Sequence, residues 1–97
     1  MSMYNPPHPG EFIREIYIVP FNLSARKVAN SLDVSPSTLN RLLNGESNLS
    51  PEMALRLSKT LGRSPESWLT MQDNYNLWHV RKRINLREVK KLNLSAA

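Results

Sequence analysis

A run of polar side chains in the first half of the chain has the types and the spacing to form hydrogen bonds from one face of a short helix. Leu39, Leu42 and Leu43 recur at helical spacing and are expected to face a core, so the polar residues between them point outward. Asparagine pairs well with the edge of adenine, and arginine pairs with the edge of guanine or with a phosphate. The pattern therefore predicts a face that contacts nucleic acid, with Ser37 and Asn40, one turn apart, at base edges.

Two short helices joined by a tight turn would position this face. Ser24 is a suitable N-cap for the first helix. The apolar stripe of that helix consists of Ala25, Val28, Ala29 and Leu32. Asp33 is expected to end it, because aspartate tolerates the left-handed conformation better than most residues. Ser35 caps the second helix, and Gly45 is its expected end, so residues 24–45 are predicted to be a helix-turn-helix motif.

The ends of these two helices supply further candidates for contact with a nucleic-acid backbone, because phosphates are bound by helix N-termini and by hydroxyl, amide and cationic side chains. Arg41 suits a base edge and a phosphate equally well. The predicted DNA-binding residues are Ser24, Arg26, Lys27, Ser35, Pro36, Ser37, Thr38, Asn40, Arg41 and Asn44. The alternative interpretation is that the polar face is only a solvated helix surface.

The composition narrows the class of protein. Ninety-seven residues suffice for one domain with a modest core. The absence of cysteine excludes a disulfide scaffold, a cysteine-based metal site and a thiol nucleophile. The histidines, His8 and His79, are far apart, and no carboxylate accompanies a nucleophile, so we expect neither an enzyme nor a metal or cofactor site. The sequence shows no signal peptide and no membrane span, which predicts a cytoplasmic protein.

The net charge of +5 is unevenly distributed. Through Trp78 the chain carries seven Lys and Arg residues and seven Asp and Glu residues, so this part is neutral. The remainder carries six basic residues against Glu88 alone. Because the basic residues lie in the tail, the high overall charge does not itself support DNA binding by the helix-turn-helix motif.

Three Ser-Pro pairs indicate further helix starts, since serine is a good N-cap and proline is tolerated at the first helical position. They are Ser35-Pro36, Ser50-Pro51 and Ser64-Pro65. An earlier helix is predicted over 9–19, with Phe12, Ile13 and Ile16 facing inward and Pro20 ending it. The chain is therefore predicted to be all-α. We expect a flexible N-terminal segment over 1–8, a helix-turn-helix domain over 9–78 and a basic C-terminal tail over 79–97.

The last predicted helix carries an aromatic stripe made of Trp68, Met71, Tyr75 and Trp78. Trp68 is assigned to the core, whereas Tyr75 and Trp78 lie late in the helix and are predicted to form a dimer or partner interface. After it, Asn85 and Glu88 resemble a capping box for a short helix, although this segment would equally suit a strand. The basic residues 81–83 suit a solvated helix end, a DNA backbone contact or a protein contact.

Residues 24–45 resemble the helix-turn-helix of the Xre and Cro family of phage repressors. The wider pattern resembles the HigA branch, also known as VapI-like proteins. The motifs that carry this resemblance are His8-Pro9-Gly10-Glu11, Leu32-Asp33-Val34-Ser35, Leu43-Asn44-Gly45, the stretch from Ser50 to Leu57, Gly62-Arg63-Ser64-Pro65-Glu66-Ser67-Trp68-Leu69 and Tyr75-Asn76-Leu77-Trp78. The match covers roughly residues 8 to 78.

The resemblance implies a five-helix, lambda-repressor-like domain that forms a homodimer, binds operator DNA and represses its own operon. It also implies an antitoxin of a type II toxin–antitoxin module that neutralises a HigB-like toxin, an mRNA-cleaving protein. The chain departs from related repressors at Ala25 and Pro36, where glutamine is common, so its operator sequence does not follow from the resemblance. The alternatives are a stand-alone Xre-type repressor and a protein-interaction module that no longer reads DNA.

Overall fold

Residues 5–95 are those that the computed structural model describes, and within them the chain forms five α-helices and no strand. The helices are α1 (Pro9–Ile13), which a π-helical turn over Arg14–Ile18 continues, α2 (Ala25–Leu32), α3 (Pro36–Leu43), α4 (Pro51–Leu61) and α5 (Pro65–Arg81). The predicted all-α architecture is confirmed, and α2 and α3 are the two helices of the predicted motif. None of the helices in the described part of the chain has the length and apolar composition that crossing a membrane requires.

Serine hydroxyls cap α2, α3, α4 and α5, as the sequence predicts. Each hydroxyl oxygen accepts a hydrogen bond from the backbone N–H three residues further on, at 3.0 to 3.1 Å. The capping residues are Ser24, Ser35, Ser50 and Ser64. Because these caps satisfy backbone donors that the helix leaves unpaired, the start of each helix is fixed by its local sequence.

The turn of the helix-turn-helix motif also has the predicted backbone conformation. Asp33 ends α2 in the left-handed region, with φ 58° and ψ 46°. Gly45 follows α3 with φ 74°. Its N–H donates to the Leu42 carbonyl, and the N–H of Glu46 donates to the Arg41 carbonyl. This pair of hydrogen bonds is a Schellman motif, which ends a helix sharply.

The first helix differs from the sequence prediction at its C-terminal end. Its last turn is π-helical, and the N–H of Val19 donates to the carbonyl of Arg14, five residues earlier. The wider turn shifts the following side chains around the helix axis. Tyr17 and Ile18 consequently pack against the core, and the expectation that Ile16 faces inward is wrong, because that residue is 48% exposed.

The core lies where the five helices converge. The predicted inward residues Ile13, Leu39, Leu42, Leu57 and Trp68 are all buried. The Trp68 indole is fully covered, and its Nε1 donates a 2.9 Å hydrogen bond to the carbonyl of Gly62. A tryptophan that is buried with its N–H paired satisfies both the apolar and the polar part of the ring. The assignment of Trp68 to the core is therefore confirmed.

The N-terminal boundary of the ordered domain lies earlier than predicted. His8 belongs to the segment that was expected to be flexible, yet its side chain is only 6% exposed. Its Nδ1 accepts the N–H of Gly10 at 2.9 Å and thereby caps α1. Its Nε2 lies 3.1 Å from the Ser47 carbonyl. Residues 1–4 of the predicted flexible segment lie outside the described residues.

The C-terminal boundary lies later than predicted, because α5 continues past Trp78 to Arg81. The predicted short helix after Asn85 does not form, and neither does the alternative strand. The Asn85 Oδ1 accepts the N–H of Arg87 at 2.9 Å, so the expected cap makes a turn that no helix follows. Side chains from Arg81 to Ser95 are exposed, and a short helix without a surface to pack against does not offset the cost of nucleation.

Candidate nucleic-acid interface

Helix α3 presents a polar face to solvent because its leucines are held in the core. Leu39, Leu42 and Leu43 are each at most 4% exposed. Ser37, Asn40, Arg41 and Asn44 are exposed, as the sequence predicts, whereas Thr38 is half-buried. Neither the Asn40 amide nor the Arg41 guanidinium hydrogen-bonds to another residue within 5–95, so both groups are available to a ligand on this face.

At the start of α3 the hydroxyl groups bond to one another. The Ser35 hydroxyl accepts the backbone N–H of Thr38 at 3.1 Å and donates to the Thr38 hydroxyl at 2.9 Å. The Ser37 hydroxyl lies 3.2 Å from the Ser35 hydroxyl. Pro36 is the first helical residue and is exposed. Ser35 and Thr38 therefore fix the helix start, whereas Ser37 retains hydrogen-bonding capacity for a base edge or a phosphate.

At the end of α3 an arginine from the first helix makes a contact that sequence reasoning missed. The Arg14 guanidinium donates to the Leu43 carbonyl and to the Asn44 Oδ1, both at 3.3 Å. These hydrogen bonds satisfy a terminal carbonyl of the helix and orient the Asn44 side chain. The Asn44 amide nitrogen stays available to a phosphate. Local sequence patterns could not predict this pair, because residues 14 and 44 are far apart in the chain and only the fold brings them together.

Helix α2 places its N-terminal residues beside the same motif. The Ser24 hydroxyl accepts the N–H of Lys27 at 3.1 Å, and Arg26 and Lys27 are exposed in the first turn. An exposed helix N-terminus with two cations is a suitable partner for a phosphate. The turn between α2 and α3 is held from behind, because the Arg56 guanidinium donates to the carbonyls of Leu32 and Asp33 at 2.9 and 3.1 Å.

The loop that follows α3 is anchored by a buried amide. Gln72 on α5 is 3% exposed, and its Oε1 accepts the N–H of Leu49 at 2.7 Å. Its Nε2 donates to the Oδ1 atoms of Asn48 and Asn76 at 3.2 and 3.0 Å. Since His8 holds the Ser47 carbonyl of the same loop, α1 and α5 together fix the backbone that leads away from the polar face.

The two residues predicted for a dimer or partner interface lie in the second half of α5. The Tyr75 ring is half-buried between His8 and His79, with ring centroids 4.9 and 4.4 Å away. Trp78 is also half-buried, and the Lys82 Nζ lies 4.0 Å from its ring centroid. Both rings therefore retain exposed area. His8 and His79, which are far apart in the sequence, thus both contact Tyr75.

A family model described as helix-turn-helix matches residues 13–68, so the arrangement of α2 and α3 identifies a protein class as well as a local motif. This chain belongs to the helix-turn-helix family of the Xre type. The predicted lambda-repressor-like fold is thereby confirmed. The prediction that the chain is not an enzyme is confirmed by the same membership, since this is a family of regulators and antitoxins.

Curated relatives extend this assignment along nearly the whole chain. An uncharacterized HTH-type transcriptional regulator of Escherichia coli, YddM, is 38% identical over 92 residues, which are 95% of this chain and 97% of that protein. Virulence-associated protein I of Dichelobacter nodosus is 43% identical over 72% of this chain and 65% of its own length. Antitoxin HigA-1 of Vibrio cholerae is 31% identical over 80% of this chain and 73% of its own length. The predicted resemblance to HigA and VapI proteins is confirmed.

Solved structures share the complete fold. The antitoxin GraA superposes with a TM-score of 0.84 at 34% identity, over 92% of this chain and 99% of GraA. A structure of GraA in complex with its operator superposes with a TM-score of 0.81 at 31% identity, over 100% of this chain and 98% of GraA. This chain is therefore a helix-turn-helix protein of the DNA-binding, antitoxin-like type.

Proposed function

We propose that this protein is a homodimeric antitoxin that binds operator DNA through α3 and represses its own operon. The observation that carries the proposal is the outward face of α3, where Asn40 and Arg41 are free of intramolecular hydrogen bonds within residues 5–95. GraA, which has the same fold, is known in complex with its operator. In a two-fold dimer the paired helices would enter successive major grooves about 34 Å apart.

On this proposal Ser37 and Asn40 face base edges, and Arg41 contacts a guanine edge or a phosphate. The hydroxyl, amide and cationic groups at the helix ends contact phosphates and set the position of α3 on the duplex. These groups are Ser24, Arg26, Lys27, Ser35, Thr38 and Asn44, together with the exposed Pro36. Their positions support this division, because Ser35 and Thr38 hold the helix start while Asn40 and Arg41 stay free.

The antitoxin half of the proposal adds a second ligand, a HigB-like mRNA-cleaving toxin that the protein neutralises in the cytoplasm. The likeness to GraA and to HigA-1 supports it. The second candidate is a stand-alone Xre-type repressor without a toxin, which the likeness to the HTH-type regulator YddM favours.

One experiment separates the two candidates. The tagged protein is expressed with its native flanking genes, purified, and its co-eluting partners are identified by mass spectrometry. A stoichiometric small protein that arrests growth when it is produced alone supports the antitoxin. A homodimer without such a partner, encoded beside no such gene, overturns the antitoxin proposal and leaves the repressor.

The DNA half is tested on the region upstream of the gene by gel shift and footprinting. We expect a protected site with two half-sites one helical turn apart and one dimer bound. Binding that is equally tight to unrelated DNA of the same length, or no binding at all, would overturn operator recognition.

A further inference from the structure

A cleft between the N-terminal segment, α1 and the second half of α5 lies apart from the polar face of α3. Its volume is about 390 Å³. It is lined by Pro6, Pro7, Glu11, Glu15, Tyr75 and His79, together with Asn5. The ion pairs among residues 5–95 all involve Arg56, so neither carboxylate in this cleft is part of an ion pair there. The α1 cleft, as we call it, combines negative charge with an aromatic wall.

Apolar side chains are exposed near the end of the helical segment that carries the two carboxylates and in the turn that follows it. Ile16 is 48% exposed, and Val19 and Phe21 are 67% and 68% exposed. Ile16 directly follows Glu15 in the chain, and Val19 comes about one turn later. Exposed apolar residues that lie close to a polar rim are typical of protein interaction surfaces. A ligand for this surface would carry cations and apolar side chains at short intervals.

The segment from Arg81, the last residue of α5, to Leu94 has that composition. Six cations accompany Glu88, namely Arg81, Lys82, Arg83, Arg87, Lys90 and Lys91. The large apolar residues between them are Ile84, Leu86, Val89, Leu92 and Leu94, and each is between 49% and 81% exposed. The molecule is 59 Å long but only 27 and 22 Å in the other directions, and its radius of gyration of 17.2 Å exceeds the roughly 13 Å of a compact chain of this size. The tail therefore extends away from its own domain.

We propose that the basic tail, Arg81 to Leu94, docks on the α1 cleft of a second copy of this chain. The inference rests on the proposed homodimer and assigns a second contact to it. His79 lines the cleft and the tail begins two residues later, at Arg81, so a dimer formed across Tyr75 and Trp78 would bring the tail of each copy to the cleft of the other. The contact is reciprocal, as a two-fold dimer requires.

Two features of the tail favour a protein surface over the DNA backbone. Phosphates would account for the six cations, but they offer nothing to the five exposed apolar residues. A segment that orders only on its partner needs apolar burial to offset the entropy it loses. Ile16, Val19 and Phe21 do not line the cleft, but they are exposed just after Glu15 in the chain and offer apolar area there. Glu11 and Glu15 in the cleft lining supply the countercharge.

The test reverses the charge on each side separately. One variant changes the cleft (Glu11→Lys and Glu15→Lys), and another changes the tail (Arg83→Glu, Arg87→Glu and Lys90→Glu). A control variant, Glu46→Lys with Glu66→Lys, makes the same charge change outside the cleft, and Glu66, like Glu11, lies in the first turn of a helix. The dimer dissociation constant is measured by sedimentation equilibrium, and circular dichroism checks that each variant is folded.

We expect the cleft variant and the tail variant each to dimerise at least about tenfold more weakly, because like charges then face each other across the interface. The control variant should dimerise like the wild type. An equimolar mixture of the cleft and tail variants should form a heterodimer with close to wild-type affinity, since both of its contacts are again between opposite charges. This restoration also excludes misfolding as the cause of the weaker homodimers.

The other outcomes identify what the tail does instead. Weakened homodimers without restoration in the mixture overturn the proposal and indicate a contact within one chain. Unchanged dimerisation, with a weaker salt dependence of operator binding in the tail variant, overturns it in favour of the DNA backbone. The failure of this inference can be distinguished from the failure of the proposed function, because the variants leave α3 intact. If the mixture restores the dimer but the wild type does not bind its operator, the proposed DNA binding is wrong and the tail contact stands.

Discussion

The backbone of Gly10 in α1 lies directly against the carbonyl of Leu42 in α3. A β-carbon at position 10 would lie 1.8 Å from the Leu42 oxygen, 2.6 Å from its carbonyl carbon and 2.8 Å from the α-carbon of Leu43. These obstacles are backbone atoms, which cannot move aside as the end of a flexible side chain can. The first helix therefore sets the position of α3 through a contact that only glycine permits.

The substitution Gly10→Ala should consequently displace α3 or α1 and destabilise the fold. Overpacking a core costs about 1–3 kcal/mol, and we expect the upper end or more because the clash is with backbone. Operator affinity should fall as well, since the polar face moves with α3. Urea unfolding and a gel shift measure the two effects. Thr70→Ala, at an exposed position on α5, is the control and should change neither.

The helix-turn-helix could be predicted from the sequence because its determinants are local. Ser24 and Ser35 cap their own helices, and Asp33 and Gly45 end them by their own backbone conformations. Each of these signals acts within a few residues, so no knowledge of the fold was needed to identify the motif or its outward face.

The features that position that face from behind could not be predicted, because they join residues distant in the chain. Arg14 reaches Asn44, His8 reaches Ser47, and Gln72 reaches Leu49. The π-helical turn is equally hidden, since its apolar residues fit an ordinary helix. The segment from Asn85 onward was predicted with two alternative conformations and forms neither, because its residues are exposed through Ser95 and no core holds it.

Asn40 and Arg41 are the side chains whose removal should affect DNA recognition most. A base-edge contact by Asn40 predicts that Asn40→Ala costs about 1–3 kcal/mol of operator affinity and relaxes specificity at one position. If Arg41 contacts a phosphate, Arg41→Ala should weaken binding to all sequences and lower the salt slope by about one. Titrations against operator and scrambled DNA at several salt concentrations measure both.

A matched control for these substitutions is Asn74→Ala, which removes an exposed asparagine from α5. It should bind the operator like the wild type. Operator affinity and specificity that survive Asn40→Ala would contradict the assignment of Asn40 to a base edge.

Ser35 offers a way to distinguish helix capping from direct DNA contact. Ser35→Ala removes the acceptor for the Thr38 N–H and should cost about 1 kcal/mol of unfolding free energy. Ser35→Asn keeps a capping oxygen and should recover most of that stability. If operator affinity recovers with stability, Ser35 acts by holding the start of α3. A loss of affinity that persists in Ser35→Asn would instead indicate that the hydroxyl contacts DNA.

His8 makes the stability of the fold dependent on pH. Its Nδ1 accepts the N–H of Gly10 and thereby caps α1. A proton on Nδ1 would remove this acceptor and leave two N–H donors facing each other. Burial holds the pKa of His8 below its ordinary value of 6.5, against the opposing effects of the Ser47 carbonyl and the Glu11 charge. Below pH 6.5, His8 is therefore protonated to a greater extent in the unfolded chain than in the folded chain.

The stabilising contribution of neutral His8 is complete above pH 6.5 and is lost as the pH falls below that value, towards the lower pKa of the folded state. We expect the unfolding free energy, measured in urea at pH values from about 7.5 to about 5.5, to decrease with pH in this direction. His8→Asn keeps a capping oxygen but cannot titrate, so the decrease should become smaller in that variant. His79→Asn removes an exposed histidine that caps no helix and serves as the control. A wild type and a His8→Asn variant with the same dependence on pH would show that His8 is not the group responsible.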